Sequence, residues 1–144
     1  MYGIAVAGAN GRIPVPPDAI EEYGFTTDDG LVAMSGSRTS GGFILTSMRL
    51  LSGTPFRGVI EAAADLCGVP GASVKVGHRW LAGTKLDEEH TVFLPEDCLA
   101  RFGIMPGSRL AVARGSRYGL GFLAKGPILD ETIRHPGLPV YECV

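Results

Sequence analysis

Two arginines, Arg38 and Arg117, occupy the same position in a motif that occurs twice in this chain. The motif reads Gly-Ser-Arg-x-x-x-Gly-Phe, and its copies stand at 36–43 and 115–122. A guanidinium set among glycines can bind phosphate or carboxylate, since glycines let backbone N–H groups approach the anion too. The structural alternative is that Ser and Arg tie each loop to the rest of the protein, while the glycines permit tight turns.

Further basic residues are concentrated in the second half of the chain. Residues 1–72 carry a net charge of −3 and residues 73–144 a net charge of +1. Arg101, Arg109 and Arg114 can join Arg117 in one basic patch, or they can belong to an ordinary solvated surface. The whole chain has a formal net charge of −2 and a pI of about 5.9. That balance weighs against a dedicated nucleic-acid-binding protein, which is usually basic.

The remaining reactive side chains do not form a pattern typical of a metal site or a catalytic centre. The three histidines, His78, His90 and His135, are dispersed, and no cysteine stands at ligand spacing from them. The acidic pairs at 88–89 and 96–97 are accounted for by a turn and a helix start. Spacing supports no nucleophile paired with a base. We therefore expect neither a metal, nor a cofactor, nor enzymatic activity.

Composition predicts a protein of the reducing cytoplasm with many short strands. Three widely spaced cysteines without a Cys-x-x-Cys motif argue against a disulfide framework. No apolar run reaches the length of a membrane span, and no signal peptide is evident. Glycine and proline together make up 31 of the 144 residues, which indicates many turns.

The repeated motif extends into a longer internal repeat. The shift that places Gly36 on Gly115 also places residues 12–45 on residues 91–124 without a gap, with nine identical positions. We call this shift the repeat offset. Its period is too long for a solenoid unit. Two copies of a small domain in one chain predict a pseudo-twofold pair, which is a dimer within a single chain. We expect a first repeat at 1–46, a helical connector at 47–79, a second repeat at 80–126, and a C-terminal helix and tail at 127–144.

Local signals predict the same series of elements in both repeats. Asn10-Gly11 favours a hairpin turn between strands at 3–7 and 12–16. A proline-led helix at 17–23 ends at Gly24 and precedes strands at 31–35 and 43–46. The second repeat is expected to have strands at 84–87, 92–94, 110–113 and 122–124, and a helix at 95–102. Helices are also predicted at 56–67, after a cap at Thr54, and at 127–134. Phe43 and Phe122 are expected in the core, and Trp80 is expected in the core or at an interface.

This series resembles the AbrB/SpoVT family of swapped-hairpin DNA-binding domains, which includes the MazE-type antitoxins. The first repeat keeps the front of the family pattern, Asn10-Gly11-Arg12-Ile13-Pro14-Val15-Pro16. The second keeps its rear, Leu94-Pro95-Glu96 followed by Phe102-Gly103-Ile104-Met105-Pro106-Gly107-Ser108-Arg109-Leu110. The resemblance covers about 70 of the 144 residues and implies that two hairpins interlock into one barrel.

The resemblance also implies DNA contacts from the first strand, the turn and the short helix. The turn arginine is Arg12 in the first repeat, and Thr91 replaces it in the second. On the first strand Lys85 is the basic residue. The basic positions of the family helix fall on Ile20-Glu21 and Leu99-Ala100, which cannot hold a phosphate.

Together these observations predict a mostly β, α+β protein, a swapped-hairpin barrel built from two internal repeats as a pseudo-dimer with accessory helices. The expected function is a DNA-binding transcriptional regulator of the AbrB/SpoVT type that grips duplex DNA from one face. The alternative is a module on the same scaffold that binds a small anion or a partner protein. A homodimer or a protein partner stays open, and no membrane contact is expected. The candidate DNA- or anion-binding residues are Arg12, Arg38, Lys85, Arg101, Arg109, Arg114 and Arg117.

Overall fold

The secondary structure of the chain recurs at the same repeat offset as the sequence motif. A computed structural model describes residues 1–67 and 69–143. The first repeat contains β1 (Gly3–Val6), β2 (Arg12–Pro14), α1 (Pro17–Tyr23), β3 (Gly30–Ser35), β4 (Phe43–Ser47) and α2 (Met48–Leu51). The connector adds α3 (Arg57–Leu66) and β5 (Ser73–Val76). The second repeat contains β6 (Arg79–Lys85), β7 (Thr91–Phe93), α4 (Glu96–Arg101), β8 (Arg109–Ser116), β9 (Gly119–Leu123), α5 (Pro127–Ile133) and finally β10 (Val140–Glu142).

The two repeats exchange their first strands. Eight strands form one mixed sheet in the order β10-β1-β8-β9-β4-β3-β6-β5, and β2 pairs with β7 in a separate sheet. In the large sheet β1 of the first repeat lies antiparallel to β8 of the second. In the same way β6 of the second repeat lies antiparallel to β3 of the first. Each repeat therefore completes the sheet of the other.

A pseudo-twofold axis relates the repeats and passes through two pairs of equivalent residues. Phe43 stands directly opposite Phe122 where β4 pairs with β9, and Ile13 stands opposite Val92 where β2 pairs with β7. The repeat offset relates the members of both pairs, and a residue that faces its own equivalent lies on a twofold axis. The two phenylalanine rings are buried and stacked, with centroids 4.6 Å apart. The predicted core position of both phenylalanines is confirmed.

Most predicted elements are confirmed within one or two residues, but one prediction about pairing is wrong and the predicted barrel is not confirmed. The predicted hairpin of β1 with β2 does not form, because β1 pairs with β8 and β10 while β2 pairs with β7. The expected closed barrel is not detected either. Over the described residues the large sheet is open and ends at the edge strands β10 and β5.

The connector is more structured than the sequence predicts. Its helix α3 begins at Arg57 rather than at Phe56, and no side chain caps it. Phe56, which precedes the helix, is 60% exposed. The sequence did not predict α2, β5 or β10. The position of α2 is instructive, because the repeat offset places its first residue, Met48, on Pro127, the first residue of α5. The repeat therefore extends past the strands into a following helix.

Two apolar clusters lie on the sheet. The larger one spans both repeats and includes the axial phenylalanines, and Trp80 packs against it as expected. The smaller one holds α3 against the first repeat through Val32, Leu51, Ala63, Leu66 and Leu81. Within residues 1–67 and 69–143, no helix has the length and apolarity needed to cross a membrane.

A substitution at Gly42 tests how closely the two repeats must approach each other at the axis. Its φ is +67°, and a Cβ atom there would clash with the carbonyl oxygen of Phe122. We expect Gly42→Ala to destabilise the protein by about 3 kcal/mol or more, since both the backbone and the β4–β9 pairing must shift. Gly107, with φ +86° and open space around its Cβ position, is the matched control. Gly107→Ala should cost about 1–2 kcal/mol for its left-handed backbone alone. Urea unfolding of both variants measures the difference, and equal costs would contradict the packing argument.

Candidate functional site

The first Gly-Ser-Arg loop, residues 36–42, uses its glycine N–H groups inside the protein. The N–H of Gly36 donates to the carbonyl of Gly42 over 3.1 Å, and that of Gly41 to the carbonyl of Ser37 over 2.8 Å. The N–H of Gly42 donates to the carbonyl of Phe102 over 2.8 Å. These glycines therefore serve the turn, as the structural alternative predicts. The N–H groups of these three glycines are therefore not available to an anion at this loop.

Hydrogen bonds tie the first loop to the second repeat and so build a cleft between the copies. The carbonyl of Ser40 accepts from the N–H groups of Ala124 and Lys125, each over 3.0 Å. From the connector side, β6 is held to the loop by the N–H of Trp80, which donates to Ser35 Oγ over 3.0 Å. The loop, the end of α4 and the start of β6 thus surround one space.

We call this space the basic cleft. Its volume is about 310 Å³, and its basic lining residues are Arg38, His78, Arg101 and Lys125. Trp80, Phe102, Ala124, serines and glycines complete the wall, and no Asp or Glu is among the lining residues. The first repeat supplies Arg38, and the second supplies Arg101 and Lys125. Two of the predicted residues, Arg38 and Arg101, are therefore brought together across the repeats.

Arg101 is held in a fixed orientation at the cleft. Its guanidinium lies 3.9 Å from the centroid of the Trp80 ring. Nη1 donates to Ser73 Oγ over 3.3 Å and lies 3.8 Å from Asp97 Oδ2. Its side chain keeps 34% of its surface exposed. Stacking of this kind restrains a planar guanidinium while leaving its outer edge able to donate hydrogen bonds.

Arg38 and Lys125 carry charge that no carboxylate offsets. Both residues are exposed, and within the described part of the chain neither has a carboxylate oxygen within 4.0 Å. With Arg101 they bring three permanent cations to one cleft. Like charges gathered in this way raise the local potential for an anion.

The pseudo-twofold generates a second cleft with a different charge. This mixed-charge cleft has about 290 Å³ and is lined by three arginines and two glutamates, together with Tyr23, Gly24 and Leu50. Arg117, the equivalent of Arg38, lies here beside Arg114. At the position equivalent to Arg101 stands Glu22, which pairs with Arg114. Arg114 nevertheless stays 62% exposed. The charged lining residues are Glu21, Glu22, Arg49, Arg114 and Arg117.

Tyr23 anchors the second loop as Phe102 anchors the first. The two residues are equivalent by the repeat offset, and the Tyr23 hydroxyl donates to the carbonyls of Ser116 and Gly119 over 2.7 and 3.0 Å. Burial, and secondarily the neighbouring Tyr2, raises the pKa of Tyr23 to about 12. The hydroxyl therefore keeps its proton and remains a donor at neutral pH.

Arg12 lies in a different place and already has anionic partners. Its Nη2 is 2.9 Å from Asp87 Oδ2 and 2.9 Å from Glu89 Oε2, and it donates to Thr91 Oγ1 over 3.0 Å. Burial alone would raise the pKa of Asp87. Hydrogen bonds from Thr91, Arg12 and the Glu89 backbone outweigh it and hold that pKa below its usual value. The turn arginine therefore joins the turns of the two repeats.

The seven predicted residues do not lie on one face. Three antiparallel pairings separate β3 from β8, so these strands run in opposite directions and the loops that follow them lie at opposite ends of the sheet. Arg38 and Arg117 thus belong to different sites. Lys85 lies opposite Gly30 in the register of the sheet, and Arg109 lies opposite Val6.

The sequence did not predict two basic residues of the basic cleft, His78 and Lys125. His78 reaches it through the β5–β6 hairpin, which was not predicted, and a signal was present in the turn residue Gly77, whose φ is +64°. Lys125 is positioned at the cleft by hydrogen bonds between the repeats, and the sequence carries no local signal for these bonds. In the described ranges no group of three or more His, Cys, Asp or Glu side chains is placed to hold a metal ion.

Comparison with known proteins does not place the chain in a family. No protein-family model matches it, and neither a curated protein nor a solved structure shows significant similarity to it.

Asp87 gives the Arg12 cluster a predictable dependence on pH. Because its pKa is lowered on folding, its contribution to stability is present above the unfolded value of about 3.9 and is lost as the pH falls through the folded value. We expect the difference in unfolding free energy between the wild type and Asp87→Asn to be largest near pH 7 and to shrink below about pH 4. Urea unfolding between pH 7 and 3 measures it. Glu88→Gln removes the same charge from the same turn and should show a smaller difference at neutral pH, and an equal difference would contradict a specific role for Asp87.

Proposed function

We propose that the chain is an anion-binding module on a swapped-hairpin scaffold, and that the basic cleft is its ligand site. Two features support the scaffold. Each repeat pairs its first strand with the third strand of the other, and β2 pairs with β7 across the pseudo-twofold. On this view the edge strands β5 and β10 are additions to two interlocked hairpins.

The observation that carries the proposal is the charge of Arg38 and Lys125, which no carboxylate offsets within the described residues. They line the basic cleft together with Arg101, and no carboxylate is among the lining residues. Three neighbouring cations repel one another, and a bound anion relieves that repulsion and accepts their hydrogen bonds. The mixed-charge cleft has a similar size and is also lined by three permanent cations, all of them arginines. There, however, Glu21 and Glu22 largely neutralise the positive charge. The basic cleft therefore differs from the mixed-charge cleft in its charge, and not in its size or position.

The lining of the basic cleft suits binding better than acid–base catalysis. Its arginine and lysine side chains are permanent donors at neutral pH, and they hold an anion without exchanging protons with it. Of the side chains that commonly transfer protons, the lining offers His78, with no carboxylate beside it to orient the imidazole.

DNA binding is the second candidate, supported by a different observation. Lys75 and Arg79 are exposed on the β5–β6 hairpin and extend the positive charge beyond the basic cleft. A duplex docked there would meet cations from both repeats. The face implied by the family resemblance is less suitable, because Arg12 is paired with Asp87 and Glu89.

Charge reversal at one exposed lysine tests the proposal. We expect at least one of phosphate, sulfate, citrate or heparin to raise the melting temperature of the wild type, because a ligand that binds the folded state stabilises it by mass action. Lys125→Glu should abolish this stabilisation. Lys85→Glu, an equal change at an exposed residue outside the cleft, should retain it.

The competing outcomes are distinct. If none of these anions stabilises the wild type, the anion-binding proposal is wrong. If a random-sequence duplex binds with an affinity that falls steeply as salt is raised, and Lys125→Glu weakens it, the DNA candidate takes its place.

A further inference from the structure

We infer that the ligand of the basic cleft is a small phosphorylated compound, whose phosphate contacts Arg38, Arg101 and Lys125 and whose organic part packs against Trp80 and Ala124. This inference rests on the proposed anion-binding function and names the chemical class of the ligand. It also assigns one site to each chain, in the basic cleft and not in its pseudo-symmetric counterpart.

The charge of the cleft matches a phosphate monoester. Such a group carries about −1.5 to −2 charges at pH 7 and offers three strong acceptor oxygens. Three permanent cations line the cleft, and together they carry enough N–H donors for all three oxygens. A single carboxylate would carry one charge and two oxygens, and it would leave at least one of the three cations without a partner.

The cleft combines one fixed donor group with two adjustable ones. Arg101 is stacked on Trp80 and tethered to Ser73, so its guanidinium presents a preset fork that fits two phosphate oxygens. Arg38, within the first Gly-Ser-Arg loop, and Lys125 are exposed. Their long side chains can move to donate to the third oxygen, and to the free lone pairs of the other two, with little cost in packing.

The size and the wall of the cleft limit the rest of the ligand. A volume of about 310 Å³ stands at the lower end of the range for small-molecule sites. Trp80, Phe102 and Ala124 line part of the wall, and such surfaces favour a compact organic group beside the phosphate. A sugar or a short carbon chain satisfies this condition, whereas a dinucleotide exceeds it.

The mixed-charge cleft explains why a single site is expected. Glu22 replaces Arg101 there and pairs with Arg114, so the fixed fork is missing and a carboxylate stands in its place. A phosphate approaching Arg117 would be repelled by this carboxylate. Arg117 is therefore a natural internal control for Arg38.

The test is titration calorimetry of the full chain with glucose 6-phosphate, inorganic phosphate and gluconate, a carboxylate of similar size. We expect one site per chain, with glucose 6-phosphate binding at least tenfold more tightly than gluconate and more tightly than inorganic phosphate. Trp80 is the single tryptophan of the chain, so its fluorescence should change along the same titration curve.

Three variants locate the site. Arg38→Ala and Arg101→Lys should each weaken glucose 6-phosphate binding at least tenfold, the latter because lysine keeps the charge but loses the planar fork. Arg117→Ala should change the affinity less than twofold. Far-ultraviolet circular dichroism and melting temperatures of the three variants establish that each is folded.

Each alternative result has a definite meaning. If gluconate or citrate binds as tightly as glucose 6-phosphate and depends on Arg38, the phosphate inference is wrong while the anion-binding function stands. If no anion binds, both are wrong. Phosphate binding that survives Arg38→Ala, or that Arg117→Ala weakens equally, would be diffuse surface association and would overturn the assigned site. If a DNA duplex binds to the chain and glucose 6-phosphate does not, the basic cleft is a DNA-binding site and the phosphate inference is wrong.

Discussion

The exchange of first strands between the two repeats is the constraint on which the rest of the structure depends. Without β1, strand β8 would lose a backbone partner in the middle of the sheet, and β3 would lose one without β6. Unpaired backbone groups at a buried strand are costly, so neither repeat is complete by itself. The stacked rings of Phe43 and Phe122 fix the centre of this arrangement. Both clefts follow from it, because each places the Gly-Ser-Arg loop of one repeat beside the helix end of the other.

Because the two repeats are parts of one chain, equivalent positions in them can hold different residues. In a homodimer of identical subunits the two clefts would have to carry the same residues. Here one position holds Arg101 in the first cleft and Glu22 in the second, and that difference alone shifts the local charge by two. The exposed pair of Arg114 with Glu22 contributes little to stability, as exposed ion pairs usually do. Its consequence is electrostatic, because it lowers the positive potential of the second cleft.

The sequence predicted the local elements well and their partners poorly. The helix at 17–23 and the strands around both Gly-Ser-Arg motifs follow from turn residues, prolines and apolar pattern, which act over a few residues. The exchange of strands depends on contacts between distant parts of the chain, so the hairpin signal at Asn10-Gly11 suggested the wrong partner for β2. The same limit applies to the site. Arg38 was found through the repeated motif, but Arg101 was grouped with Arg114 and Arg117, because nothing local shows that α4 ends beside the loop of the other repeat.

Arg12 has a different role in this chain from the one that the resemblance implies. The family resemblance assigns it to DNA, yet in this chain it binds Asp87 and Glu89 of the other repeat. Its equivalent by the repeat offset is Thr91, whose hydroxyl oxygen accepts a hydrogen bond from Arg12 itself. A symmetric pair of arginines at these neighbouring positions would repel each other, whereas the Arg–Thr combination joins the two turns and leaves Asp87 and Glu89 to neutralise a single cation. The asymmetry that stabilises the turns neutralises the positive charge of Arg12, whereas Arg38 and Lys125 in the basic cleft have no carboxylate beside them within the described residues.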